Sequence, residues 1–250
     1  MGKAFSSAYE RVRWAEDNIL ELKDIARAHF TSHSYQRVSQ YDIKAGQFID
    51  KLVLIAPMPG SIARLTIQAM ENLRFALDHA ACAVTPRQFR KRTYFPFGDT
   101  ISELEAALSS KCKHVPDDIK TLFRRLKPYE RGNTPLWALN KCANTSKHRT
   151  IVQPGINVKD ISFVNFPGAS TLSTISPMWN RRKNEIILTR TSDKPTVHHD
   201  VDFSIGVSFG NIPFFRGKPV PSSLNKLARL TMGIVKVTES EARRIGAVKW

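Results

Sequence analysis

Apolar side chains recur at three- and four-residue steps through residues 5–30, at Phe5, Tyr9, Val12, Ile19, Leu22, Ala26 and Phe30, with acidic and basic residues between them. That period predicts an amphipathic helix. A helix of this length needs a partner along the whole of its buried stripe. Residues 61–84 carry a matching pattern through Ile62, Leu65, Ala69, Met70, Leu73, Ala76, Leu77, Ala80 and Val84, with Ser61 as the expected N-cap. Between the two, residues 37–43 and 48–55 are rich in Val, Ile, Tyr and Phe, and Lys44-Ala45-Gly46-Gln47 supplies a turn. They predict a β-hairpin, closed off by Pro57, Pro59 and Gly60.

Residues 85–99, with Pro86, Pro96 and Gly98, read as an irregular basic loop. Thr100-Ile101-Ser102-Glu103 is a capping box that opens a helix over about 101–112. A further helix follows Pro116 and stops before Pro128, and Asn133-Thr134-Pro135 opens another that runs to about His148. Beyond residue 150 short β-rich runs take over at 151–152, 161–166, 185–191 and 201–209, before Leu224, Leu227, Ala228, Ile234 and Val235 signal a closing helix. The expected fold is α+β, with a helix-rich N-terminal half containing a β-hairpin, an antiparallel strand-rich C-terminal half and a closing C-terminal helix. It is read as a single domain over 1–250, with a weak internal boundary near residue 150.

No unbroken apolar run is longer than five residues, which excludes a transmembrane helix. Three cysteines, Cys82, Cys112 and Cys142, without a Cys-x-x-Cys pair argue against a disulfide framework and fit a cytoplasmic protein. The formal charge is +16, and it is uneven. Residues 86–149 hold 14 basic against 6 acidic side chains, and residues 210–250 hold 8 against 2, so these segments carry +8 and +6. Three accounts fit such clustering: a footprint for a nucleic acid, a solvated basic surface that keeps the chain soluble, or a face for an anionic membrane surface. Arg87, Arg90, Lys91 and Arg92 interleave with Phe89, Tyr94, Phe95 and Phe97, as cations and rings do in single-strand binders. The same residues also suit a loop that packs its rings inward and leaves its cations in water.

The stretch from Glu71 to His79 concentrates chemistry on an otherwise apolar helix. At about 100° per residue, Glu71, Arg74 and Asp78 share one face, and Asn72 and His79 share another. A second cluster, Asn140, Asn144, Lys147, His148 and Arg149, lies toward the end of the helix that Pro135 opens. Each cluster has two readings. Arg74 either pairs with carboxylates one turn away or serves a ligand, and the basic run either complements a helix dipole or clamps phosphate beside a histidine. The polar faces of the two helices are expected to meet, because each needs hydrogen-bond partners. His198, His199, Asp200 and Asp202 read as a polar strand edge rather than a metal site.

Asn72-Leu73-Arg74-x-Ala76-Leu77-Asp78-His79, Phe95-Pro96-Phe97, Leu126-Lys127-Pro128-Tyr129 and Leu136-Trp137-x-Leu139-Asn140 through Lys147-His148-Arg149 resemble a family of uncharacterised bacterial proteins. The likeness runs through residues 1–150, with Ser146 standing where that family usually has Asp. Arg74 and His79, with four residues between them, also resemble the Arg-x4–6-His motif of HEPN ribonucleases. That resemblance implies RNA cleavage by a homodimer, with His79 as general acid or base and Arg74 stabilising charge on the phosphorane. The functional expectation is therefore a nucleic-acid-directed protein, HEPN-like and metal-independent if it cleaves RNA, with Arg74 and His79 catalytic. Binding is assigned to Asn72, Asp78, Asn140, Asn144, Lys147, His148, Arg149, Arg90, Lys91 and Arg92. RNA or another nucleic acid is the expected partner; no membrane, metal or cofactor is expected. The alternative is a non-catalytic interaction or ligand-binding protein in which these residues form a buried structural network.

Overall fold

The computed structural model describes residues 3–31, 35–145, 152–157, 179–180, 183–192, 204–210 and 214–248. Three long helices carry the core: α1 (Ser6–Thr31), α2 (Gly60–Ala83) and α6 (Val220–Arg244). Each turns its apolar stripe inward, α1 through Val12, Ile19, Leu22 and Phe30, α2 through Ile62, Leu65, Met70, Leu73 and Leu77. Helix α6 adds Val220, Leu224, Leu227, Ile234 and Val235, and the three helices pack pairwise into one buried cluster. Burying each such side chain stabilises by roughly 1.5–3 kcal/mol, which is why long stripes seek one another. Polar ties set the directions. Arg64 reaches Glu21 at 3.8 Å and Arg11 reaches Asn72 at 2.9 Å, so α1 and α2 run antiparallel. The Tyr9 hydroxyl donates to Glu239, which places the start of α1 beside the end of α6.

The hairpin forms as β1 (Tyr35–Asp42) and β2 (Gln47–Leu54), in register from Tyr35 opposite Leu54 to Asp42 opposite Gln47. Gly46 takes a positive φ of 63° in the turn, where a Cβ would be strained. Strand β2 also pairs with β5 (Glu185–Thr191), and β4 (Trp179–Asn180) completes an antiparallel sheet in the order β1-β2-β5-β4. Strands β3 (Val152–Asn157) and β6 (Ser204–Phe209) form a second antiparallel ladder. Lys51 on β2 bonds Glu185 on β5 at 2.7 Å with both side chains largely buried. The expected mixture of helices and antiparallel strands is present, and the hairpin of the N-terminal half is extended by one strand from beyond residue 180, β5, which pairs with β2. The expected strand at 161–166 lies outside the described residues.

Three shorter helices, α3 (Ile101–Ser110), α4 (Asp117–Leu126) and α5 (Thr134–Thr145), fill the segment between α2 and β3. The cap at Thr100 forms with one shift from the expected box: the Thr100 hydroxyl accepts from the Glu103 amide at 3.2 Å, while the Glu103 carboxylate accepts from the Asp99 amide at 2.8 Å rather than from that of Thr100. Two local expectations need correction. Helix α2 begins at Gly60 with Pro59 as N-cap and no side-chain cap, so Ser61 sits inside the helix. The Ile62 amide finds the Pro59 carbonyl at 3.1 Å instead, which removes the need for a serine cap. The supposed loop at 85–99 contains a 3-10 helix, Arg87–Arg92, closed by short-range bonds such as the Phe89 amide to the Pro86 carbonyl at 2.9 Å.

Candidate functional site

Helix α2 sends its polar side chains in two directions. Asn72 and His79 face α1, where the Asn72 amide oxygen accepts from Arg11 and His79 hydrogen-bonds the Ser7 backbone. Burial and the nearby Arg11 charge hold the His79 pKa below the ordinary histidine value, against the opposing pull of Asp78 and the Ser7 bond. Arg74 and Asp78 face the other way. Arg74 donates through Nη1 to Asp78 at 2.9 Å and through Nε to the Asn140 side-chain oxygen at 3.1 Å, so α2 and α5 are joined. Asp78 accepts the Phe95 amide at 2.9 Å on its other oxygen. Burial raises the Asp78 carboxyl above the usual aspartate range, while Arg74 and the Phe95 amide pull it down. Asn144 donates to the same Asn140 oxygen at 3.4 Å.

The helices bearing the two polar clusters do meet, and Arg74 is the link. Arg74 and His79, however, do not converge within one protomer. Five residues apart, they point about 140° away from each other around the helix. Glu71 forms no ion pair with Arg74 among the described residues. Lys147, His148 and Arg149 lie outside the described residues, as do His198, His199, Asp200 and Asp202.

Several participants carried no sequence signal of their own. Arg11 is one; its guanidinium lies 4.8 Å from the Trp14 ring centre and 5.4 Å from that of Phe75, both exposed rings. The three-residue spacing of Arg11 and Trp14 on a helix was the available hint. Asp99 is another. It accepts the Trp137 indole N–H at 2.8 Å and the Lys141 ammonium at 2.6 Å, and these bonds hold its carboxyl below the usual range.

The basic segment has a different character. Arg87, Arg90, Lys91 and Arg92 are exposed along the 3-10 helix, whereas Phe95 and Phe97 are buried in the core. Tyr94 is exposed. The Phe89 ring stacks on His114, with centroids 3.5 Å apart and planes 10° from parallel. That stack sets the 3-10 helix beside the turn at His114, and Arg90 and Lys113 line one cleft between them. Arg87, Lys91, Arg92, Lys111 and Lys113 make no ion pair among the described residues. The thiols do not join them. The Cys82 thiol donates to the Thr93 carbonyl at 3.3 Å, and burial pushes Cys112 and Cys142 up to about 12.

No helix among the described residues is long and apolar enough to cross a membrane. No protein-family model, curated protein or solved structure matches the chain.

Proposed function

We propose that this is a non-catalytic nucleic-acid-binding protein that reads the phosphate backbone of RNA or DNA through the surface built from the Arg87–Arg92 helix and the Lys111–His114 turn. The observation that carries this reading is the set of exposed cations there, Arg87, Lys91, Arg92, Lys111 and Lys113, that form no ion pair among the described residues. Unpaired Lys and Arg side chains retain counterions that a phosphate backbone releases on binding, and that release supplies sequence-independent affinity. Tyr94 adds an exposed ring beside the cations, a pairing suited to single strands. Arg74, Asp78 and Asn140 belong to the fold in this reading, because they satisfy one another across α2, α5 and the Phe95 segment. The cytoplasm, where polyanions and reduced thiols coexist, is the compartment that suits it.

The test is a titration of a labelled 12-nucleotide single-stranded RNA, repeated across salt concentrations. Affinity is expected to fall steeply with salt, and Lys91→Ala with Arg92→Ala is expected to flatten the slope by about two phosphate equivalents. Absence of binding to RNA and DNA at low salt returns the surface to a purely solvated role. Integrity of the RNA is followed in the same samples with EDTA present. Cleavage that His79→Ala abolishes would replace this reading with the ribonuclease one.

A further inference from the structure

The end of α2, the 3-10 helix and the turn into α4 border an open cleft of about 520 Å³. That volume lies in the range of sites that hold small ligands or parts of larger ones. Thr85, Arg90, Lys113, His114, Asp117 and Lys120 line it. Arg90, Lys113 and Lys120 stand against one carboxylate in that lining, which gives it a net charge of +2.

Arg90 is the organised member. Its Nε donates to the Thr85 carbonyl at 3.0 Å, and Thr85 is itself anchored through its hydroxyl to the Ala81 carbonyl at 2.9 Å. The remaining guanidinium N–H groups make no hydrogen bond among the described residues. An arginine held by one nitrogen presents its fork in a fixed orientation, so little side-chain entropy is lost when an oxyanion arrives. Lys113 is exposed, with its ammonium unpaired among the described residues. Lys120 is held at the cleft by bonds to Asp117 at 3.0 Å and to the Lys113 carbonyl at 3.4 Å. The first turn of α4 has Pro116 as N-cap, so no N-cap side chain accepts from its amides. Donors from three elements converge here, and Asp117 is the acceptor that competes with an incoming anion.

We propose that this cleft holds one phosphate group of a nucleic-acid strand, gripped by Arg90 and Lys113, with Asp117 limiting the affinity. The proposal rests on the nucleic-acid reading and names its anchoring site. A phosphate suits the cleft better than a carboxylate, because it offers three or four acceptor oxygens to donors that arrive from several directions. The strand then continues over Lys91 and Arg92 on the adjoining surface.

The experiment uses the full chain and the 12-nucleotide RNA, with three single variants. Lys113→Ala is expected to weaken binding about 3–10-fold and to lower the salt slope by about one phosphate equivalent. Asp117→Asn, which removes the competing charge, is expected to tighten binding about 2–3-fold. Lys226→Ala, an exposed cation on α6, is expected to change it less than about twofold. If the parent binds RNA while Lys113→Ala and Asp117→Asn bind like the parent, the cleft proposal is overturned and the nucleic-acid reading stands. If the parent binds no RNA, the reading fails, and inorganic phosphate titrated against backbone amide NMR signals decides the cleft. Shifts at residues 117–119 would then make it a site for free phosphate compounds, which overturns the strand proposal. Absence of shifts overturns it as well.

Discussion

Asp78 shows how a single residue on α2 can hold three segments at once. Buried to 5% exposure, it accepts from the Phe95 amide and from Arg74, which in turn holds Asn140 on α5. Asp78→Ala strands a buried amide and a guanidinium that is only 22% exposed. Removing one partner of such a pair is expected to cost about 3 kcal/mol in urea unfolding. Asp78→Asn keeps an acceptor for Phe95 and should cost about half as much. Equal costs for the two variants would show that the charge on Arg74, rather than the amide bond, dominates. His79 makes a pH prediction. Its pKa is lowered in the folded chain by burial and by Arg11, so the unfolded state takes up the proton first as pH falls. The associated stability is complete above the unfolded value of about 6.5 and is lost as pH drops through the lower folded value. His29, lowered by burial, acts in the same direction. Urea unfolding at pH 7.5 and 5.5 should show a smaller loss for His79→Gln than for the parent, and an unchanged loss would remove His79 from the account.

At the level of elements, the long helices were legible because their signal is periodic and redundant. Eight or more apolar residues agree on the face of α1, so no single substitution blurs it. The capping box at Thr100 was legible for a different reason: it is a local bond pattern that needs nothing from the rest of the chain. The cap of α2 and the 3-10 helix are hidden in the sequence where two local solutions compete. A backbone carbonyl served the first turn of α2 in place of Ser61, and a basic run between prolines hid the bonds that curl Arg87–Arg92. The pairing of β2 with β5 was not legible at all. It joins residues about 135 positions apart in sequence, and no local pattern encodes which strands will be neighbours. The candidate site divides in the same way. The Arg74–Asp78 pair follows from one-turn spacing on a helix, whereas Asn140 as the third member and Arg11 as the partner of Asn72 required α5 and α1 to be in place. Gly98 belongs to the tertiary set too. A Cβ there would lie 2.6 Å from the Leu104 amide nitrogen, a constraint that exists only once α3 has folded back on it.

For the whole molecule, the question is whether the composition shift near residue 150 marks a place where the chain can be divided. The buried cluster takes side chains from both sides of it, from Phe5 to Ala242. A chain ending at residue 150 keeps α1, α2 and the hairpin but loses α6 and β5. On α6 alone, Val220, Leu224, Leu227, Ile234 and Val235 are 2% exposed or less. At roughly 1.5–3 kcal/mol each, their burial contributes about 7–15 kcal/mol, as large as the whole stability of a typical domain. The loss of β5 also leaves Lys51 without Glu185 and turns the inner edge of β2 toward water. Residues 1–150 alone are therefore expected to show helical circular dichroism without a cooperative urea transition, and to aggregate through the bared faces of α1 and α2. Adding a separate peptide of residues 214–250 should restore part of the transition, since α6 docks on those faces directly. A sharp, two-state transition from residues 1–150 alone would make residue 150 a true domain boundary, with α6 an addition to a core already complete without it.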